Sequence, residues 1–146
     1  MNENDNFAEY EAANDAERST LELHWVEGRL QRHIELILAF LDRQREDILR
    51  QTGGSPEPAE LLRTPKRMII QAGTVHAQAE MQAQTRAIHD EIWYRGEKGD
   101  YDRARIARDW TSRHAAAWRH WRIKEYLFVA DRCVTPIVHR LLGGKP

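Results

Sequence analysis

Leu23, Val26, Leu30, Ile34, Ile37, Leu41 and Ile48 recur at spacings of three, four or seven residues. That is the apolar stripe of an amphipathic helix, with a repeat close to that of a coiled-coil seam. Ser19 followed by Glu22 has the form of a capping box, and Gly53 in "TGG" suits the left-handed position that ends a helix. The pattern therefore predicts a first long helix over about 20–51. "SPEPAELL" sets Pro56 at a first helical position behind Ser55 and predicts a short helix near 56–63, and "TPKRM" repeats the device with Thr64 and Pro65. A second long helix is expected over 65–95, its Ala72, Gly73, Ala77, Ala79, Ala83 and Ala87 small enough for close packing. "RGEKGD" breaks the chain at Gly96 and Gly99, and Asp100 or Asp102 caps a third long helix over 101–134. "TPIVHRLLGG" closes with a short helix near 136–142, and no run alternates as a strand would.

Short connections make successive helices antiparallel neighbours. The expected fold is thus all-α: an elongated antiparallel bundle of three long helices with two short ones, pairing as a homodimer to cover its open side. Residues 18–146 are expected to form this single domain behind a disordered acidic tail at 1–17.

On the third helix, "WTSRHAAAWRHW" concentrates Trp110, Trp118 and Trp121 with His114 and His120. At about 100° per residue, Ile106, Trp110, His114, Trp118, Trp121, Glu125 and Phe128 fall on one stripe. Tryptophans at such spacings suit a buried face, with Arg105, Arg108, Arg119 and Arg122 forming an outer basic face that also leaves Tyr126 outside. Trp93 and Tyr94 are expected to anchor the hairpin end.

His114 and Glu125 are polar groups on the face expected to be buried, so each needs a partner. Antiparallel register about a turn at 97–99 sets His114 one turn from Glu80 and brings Glu125 toward His76. The first connection sets His33 level with Ala83. The expected polar core layer is therefore His33, His76, Glu80, His114 and Glu125, a hydrogen-bonded network that fixes helix register. Its alternative reading is a transition-metal site of His33, His76, Glu80 and His114, although the Glu-x-x-His pairs of di-iron bundles are lacking.

Charge adds a polarity that a net charge of -1 conceals. Glu3, Asp5, Glu9, Glu11, Asp15 and Glu17 stand among residues 1–17 with no base, whereas residues 102–146 hold ten bases against four acids. Such segregation points to a nucleic-acid surface or to an acidic arm over a basic region. A single cysteine, Cys133, forms no internal disulfide and offers no zinc spacing. The polar opening and the lack of any apolar run near ~20 residues argue against a signal peptide and a membrane span, so a cytoplasmic location is expected.

An arginine followed by a polar residue, and separated by four to six residues from a histidine, resembles the motif of the HEPN ribonucleases. "RDWTSRH", from Arg108 to His114, has this form with five intervening residues, and Arg113–His120 and Arg132–His139 share the spacing. The resemblance implies a small helical dimer that cleaves RNA with Arg108 and His114. No phosphate loop, nucleophile elbow or zinc-protease motif is present, and no cofactor is implied. The residues favour a non-enzymatic, homodimeric helical protein that binds a protein partner, or nucleic acid through the basic third helix. A metal-binding or hydrolytic bundle is the alternative.

Overall fold

A computed structural model describes residues 10, 15–53 and 57–143, with the backbone alone at 59 and 60. Six helices run through them: α1 (Asp15–Val26), α2 (Gln31–Gln51), α3 (Pro58–Ala72), α4 (Ala77–Glu97), α5 (Arg103–Arg132) and α6 (Val134–Gly143). No strand occurs among the described residues, so the all-α class holds.

Two of the expected long helices are each interrupted. The first breaks at Gly28, whose φ of 77° is left-handed and whose N–H donates to the Trp25 carbonyl at 3.1 Å. The interruption resets the apolar phase. Leu23 and Val26, expected in the core, are 54% and 78% exposed, and α1 buries Leu21 instead. Ser19 caps nothing, because α1 already begins at Asp15. The last three positions of the expected acidic tail, 15–17, belong to α1 and Tyr10 is helical, and residues 1–9 and 11–14 lie outside the described residues.

The second break is at Gly73, φ 81°, whose N–H closes α3 on the Ile69 carbonyl at 2.8 Å. His76 then starts α4 as its N-cap, its Nδ1 accepting from the Ala79 N–H at 3.0 Å. Pro65 starts no helix. It lies inside α3, where its lack of an N–H denies the Leu61 carbonyl a donor. Pro58 sits at the helix start, while the expected start at Ser55 and Pro56 lies outside the described residues. The end of α2 before Gly53 and the extents of α5 and α6 agree with the sequence to within two residues.

The chain divides into two compact units, one from residues 1–75 and 121–146 and one from 76–120. The first holds α1, α2, α3, α6 and the end of α5 from Trp121, where α2, α3 and α6 pack on one another. Its core includes Phe40, Leu41, Ile48, Leu61, Ile69, Tyr126, Val129 and Ile137. Polar ties fasten its elements. Arg45 donates to the Leu141 carbonyl at 2.8 Å, satisfying an orphan acceptor at the end of α6. Arg140 meets Asp42 at 2.7 Å, and Lys66 meets Asp131 at 2.9 Å. The second unit is a hairpin of α4 and α5 up to His120. Among its apolar side chains only Ile106, Trp110 and Ala115 are buried.

Candidate functional site

Glu125 is the centre of a buried polar cluster in the first unit. From α5 its Oε1 lies 2.9 Å from Nε2 of His33 on α2. Its Oε2 accepts from the Trp121 indole N–H at 2.8 Å. The Arg122 guanidinium approaches Oε1 at 3.7 Å and donates to the Tyr126 hydroxyl at 3.2 Å. Tyr126, fully buried, lays its ring against the His33 imidazole with centroids 4.6 Å apart. An ionised carboxylate only accepts, so His33 donates from Nε2. Its Nδ1 is buried without a partner among the described residues.

Helix α1 lies over the end of α5. Glu17 takes the buried Lys124 ammonium at 2.9 Å, and Glu22 pairs with Arg132. The Arg132 guanidinium also lies over the Phe128 ring at 4.8 Å, and that ring meets Trp25 edge-on. An open cavity of about 320 Å³ borders these residues, lined by Tyr10, Arg18, Leu21, Glu22, Lys124, Leu127, Phe128 and Asp131. Its acids and bases are equal in number, and Lys124 is already neutralised.

The hairpin unit is organised by Arg105. It pairs with Asp100, reaches Asp109 at 3.3 Å and lies 3.7 Å from Asp102. Asp102 caps α5 by accepting from the Arg105 backbone N–H at 3.2 Å. The hydrogen bond from Arg105, helped by the Asp102 N–H, holds the Asp100 carboxyl below its ordinary range. Around this turn, Trp93, Tyr94 and Tyr101 are 68%, 51% and 77% exposed. Trp93 and Tyr94 therefore anchor no core. Lys98 lies over the Tyr94 ring at 5.1 Å, and Tyr101 leans on the backbone at Gly96.

The tryptophan stretch also differs from expectation. Trp110 is buried, but His114 is exposed and Trp118 and Trp121 are half-buried. Trp110 meets His114 at 6.0 Å and Trp118 at 6.2 Å between centroids, so the three rings cover one another along the helix surface. Thr111, Ser112, Arg113, His114, Ala116 and Ala117 are all exposed on this span. From Ile123 to Leu127 every residue is buried, whichever side of the helix it occupies. That is why Tyr126, expected outside, is in the core.

The expected polar layer is divided accordingly. His33 and Glu125 bond to each other. His76 is a helix cap, Glu80 is buried on α4, and His114 is on the surface. The register that set His33 beside Glu80 assumed uninterrupted helices, and the breaks at Gly28 and Gly73 remove that assumption. Among the described residues, no group of three or more His, Cys, Asp or Glu is placed to hold a metal ion. The outer basic face is likewise reduced. Arg105 is held by carboxylates and Arg122 joins the core cluster, while Arg108 and Arg119 stay exposed with no ion pair among the described residues. Arg113 is equally free. Arg108 and His114, both exposed, point about 120° apart on α5. No helix among the described residues is long and apolar enough to cross a membrane.

No protein-family model, no curated protein and no solved structure matches this chain.

Proposed function

We propose that this chain is a non-enzymatic helical interaction protein, working as a homodimer that docks through the α4–α5 hairpin. The observation that carries the reading is the exposure of Trp93, Tyr94 and Tyr101 within nine residues of one another at the hairpin turn. Large aromatic side chains beside arginine are what binding hot spots use. Soluble proteins seldom leave such a group of rings in water without a partner.

A second copy is the favoured occupant for a physical reason. A two-helix unit with three buried apolar side chains has little core of its own. Units this small gain stability by staples or by association. The hairpin has no disulfide, since the chain's one cysteine lies outside it.

Sedimentation equilibrium tests this reading. The chain should sediment as a dimer, and Trp93→Ser with Tyr101→Ser should shift it toward monomer while far-UV circular dichroism is unchanged. A wild-type monomer at micromolar concentration would remove the homodimer. A double variant that dimerises like the wild type would remove the hairpin as its seat.

A further inference from the structure

We infer that the surface of α5 between Arg108 and His120 binds single-stranded nucleic acid, its arginines on phosphates and its ring ladder against bases. This goes beyond the homodimer reading and uses a different part of the hairpin.

The first observation is the supply of unused positive charge. Arg108, Arg113 and Arg119 are exposed and have no ion pair or hydrogen bond among the described residues. The span's one acid, Asp109, is engaged by Arg105. From Arg103 to Arg122 every base is arginine and none is lysine. The planar guanidinium matches phosphate oxygens two at a time, which an ammonium cannot do.

The second observation is where the rings lie relative to that charge. At about 100° per residue, Trp110, His114 and Trp118 fill an arc bounded by Arg113 on one side and by Arg108 and Arg119 on the other. Trp110 is buried, so His114 and Trp118 present the accessible part of the ladder. Aromatic faces flanked by basic groups are the arrangement that stacks successive bases while tracking the backbone.

The third observation is access. Ala117, between Arg113 and Trp110 on the helix circle, is small and exposed, so little side chain stands between that arginine and the rings. Arg108 to Arg119 spans about 16 Å at 1.5 Å per residue, enough for a few nucleotides. An acidic peptide would satisfy the arginines but leave the ladder unused, and a duplex hides its base faces. Both features are used together only by a single strand.

Anisotropy of a labelled 15-nucleotide single strand, titrated with the full chain at several salt concentrations, is the test. Three phosphate contacts should give a slope of log affinity against log salt of about -2, from about 0.7 per contact. Arg108→Gln, Arg113→Gln and Arg119→Gln combined should abolish that slope, and each alone should lower it by about 0.7, whereas Arg86→Gln, the same single charge loss at an exposed position on α4, should not change it. Trp118→Ala should lower affinity about fivefold or more with the slope kept. His114→Ala, on an exposed side chain, should act in the same direction and guards against a folding effect of the larger change. Failure to bind at low salt would overturn the inference. So would duplex of equal length binding more tightly, or oligoglutamate competing equally with both ring variants silent.

Discussion

His33 and Glu125, ninety-two positions apart in the chain, share a hydrogen bond of 2.9 Å in the core of the first unit. The bond fastens α2 to α5. The carboxylate is also served by Trp121 and approached by Arg122, so its desolvation is offset from three directions. The imidazole is served only once.

Because Glu125 is the shared acceptor, its loss should be costly. Glu125→Ala should destabilise the chain by about 3–5 kcal/mol, since it leaves His33 Nε2–H buried without an acceptor. Glu125→Gln keeps an acceptor oxygen and should cost less. Urea denaturation of the two variants, with His33→Leu in a double-mutant cycle, measures the coupling.

Acid should loosen the hairpin turn through Asp100. The Arg105 hydrogen bond lowers the Asp100 pKa from its ordinary 3.8. A group lowered on folding contributes stability above its unfolded pKa, and that contribution is lost as pH falls through the folded one. The wild type should therefore lose stability below about pH 4 by a step that Asp100→Asn lacks. Thermal melts of both proteins between pH 5 and pH 2 would show whether the step exists.

Gly73 should resist replacement for a reason of backbone alone. Its φ is 81°, and a Cβ there would meet nothing within 4 Å. Gly73→Ala should thus cost about 1–2 kcal/mol, the strain of a left-handed alanine, with no clash to relieve. A second-site change that enlarges nearby space should give no rescue in chemical denaturation.

Cys133 should be slow to react. Burial pushes its thiol above the ordinary 9.0. A raised folded pKa means that stability is complete below the unfolded value and declines as pH climbs through the folded one. Iodoacetamide at pH 8 should modify the native chain far more slowly than the urea-unfolded chain, and Cys133→Ala should flatten the alkaline loss of stability.

Much of the local structure was legible from single residues. Gly53, Gly99 and Asp102 each ended or began a helix as their backbone chemistry requires, although Gly96, expected to break the chain, lies inside α4. Gly28 and Gly73 carried the same signal, but each lay within an apolar stripe that continued past it. A periodic pattern survives a short left-handed turn, so periodicity alone bridged both breaks. The ring stripe misled for a related reason. Side chains at i, i+4 and i+8 share a face whether that face meets a core or solvent, and along this one Trp110 is buried, Trp118 half-buried and His114 exposed.

The sequence by itself determined that this chain is helical, where most helices stop, and that acids and bases segregate along it. These follow from backbone preferences and spacing, which act within a few residues. Only the tertiary structure decided that His33 meets Glu125, that Arg105 and Arg122 are occupied while Arg108, Arg113 and Arg119 are free, and that Tyr126 is inside while Trp93 is outside. Those outcomes depend on which distant helix arrives at each face. Two glycine turns of a few residues were enough to change the register that determines it.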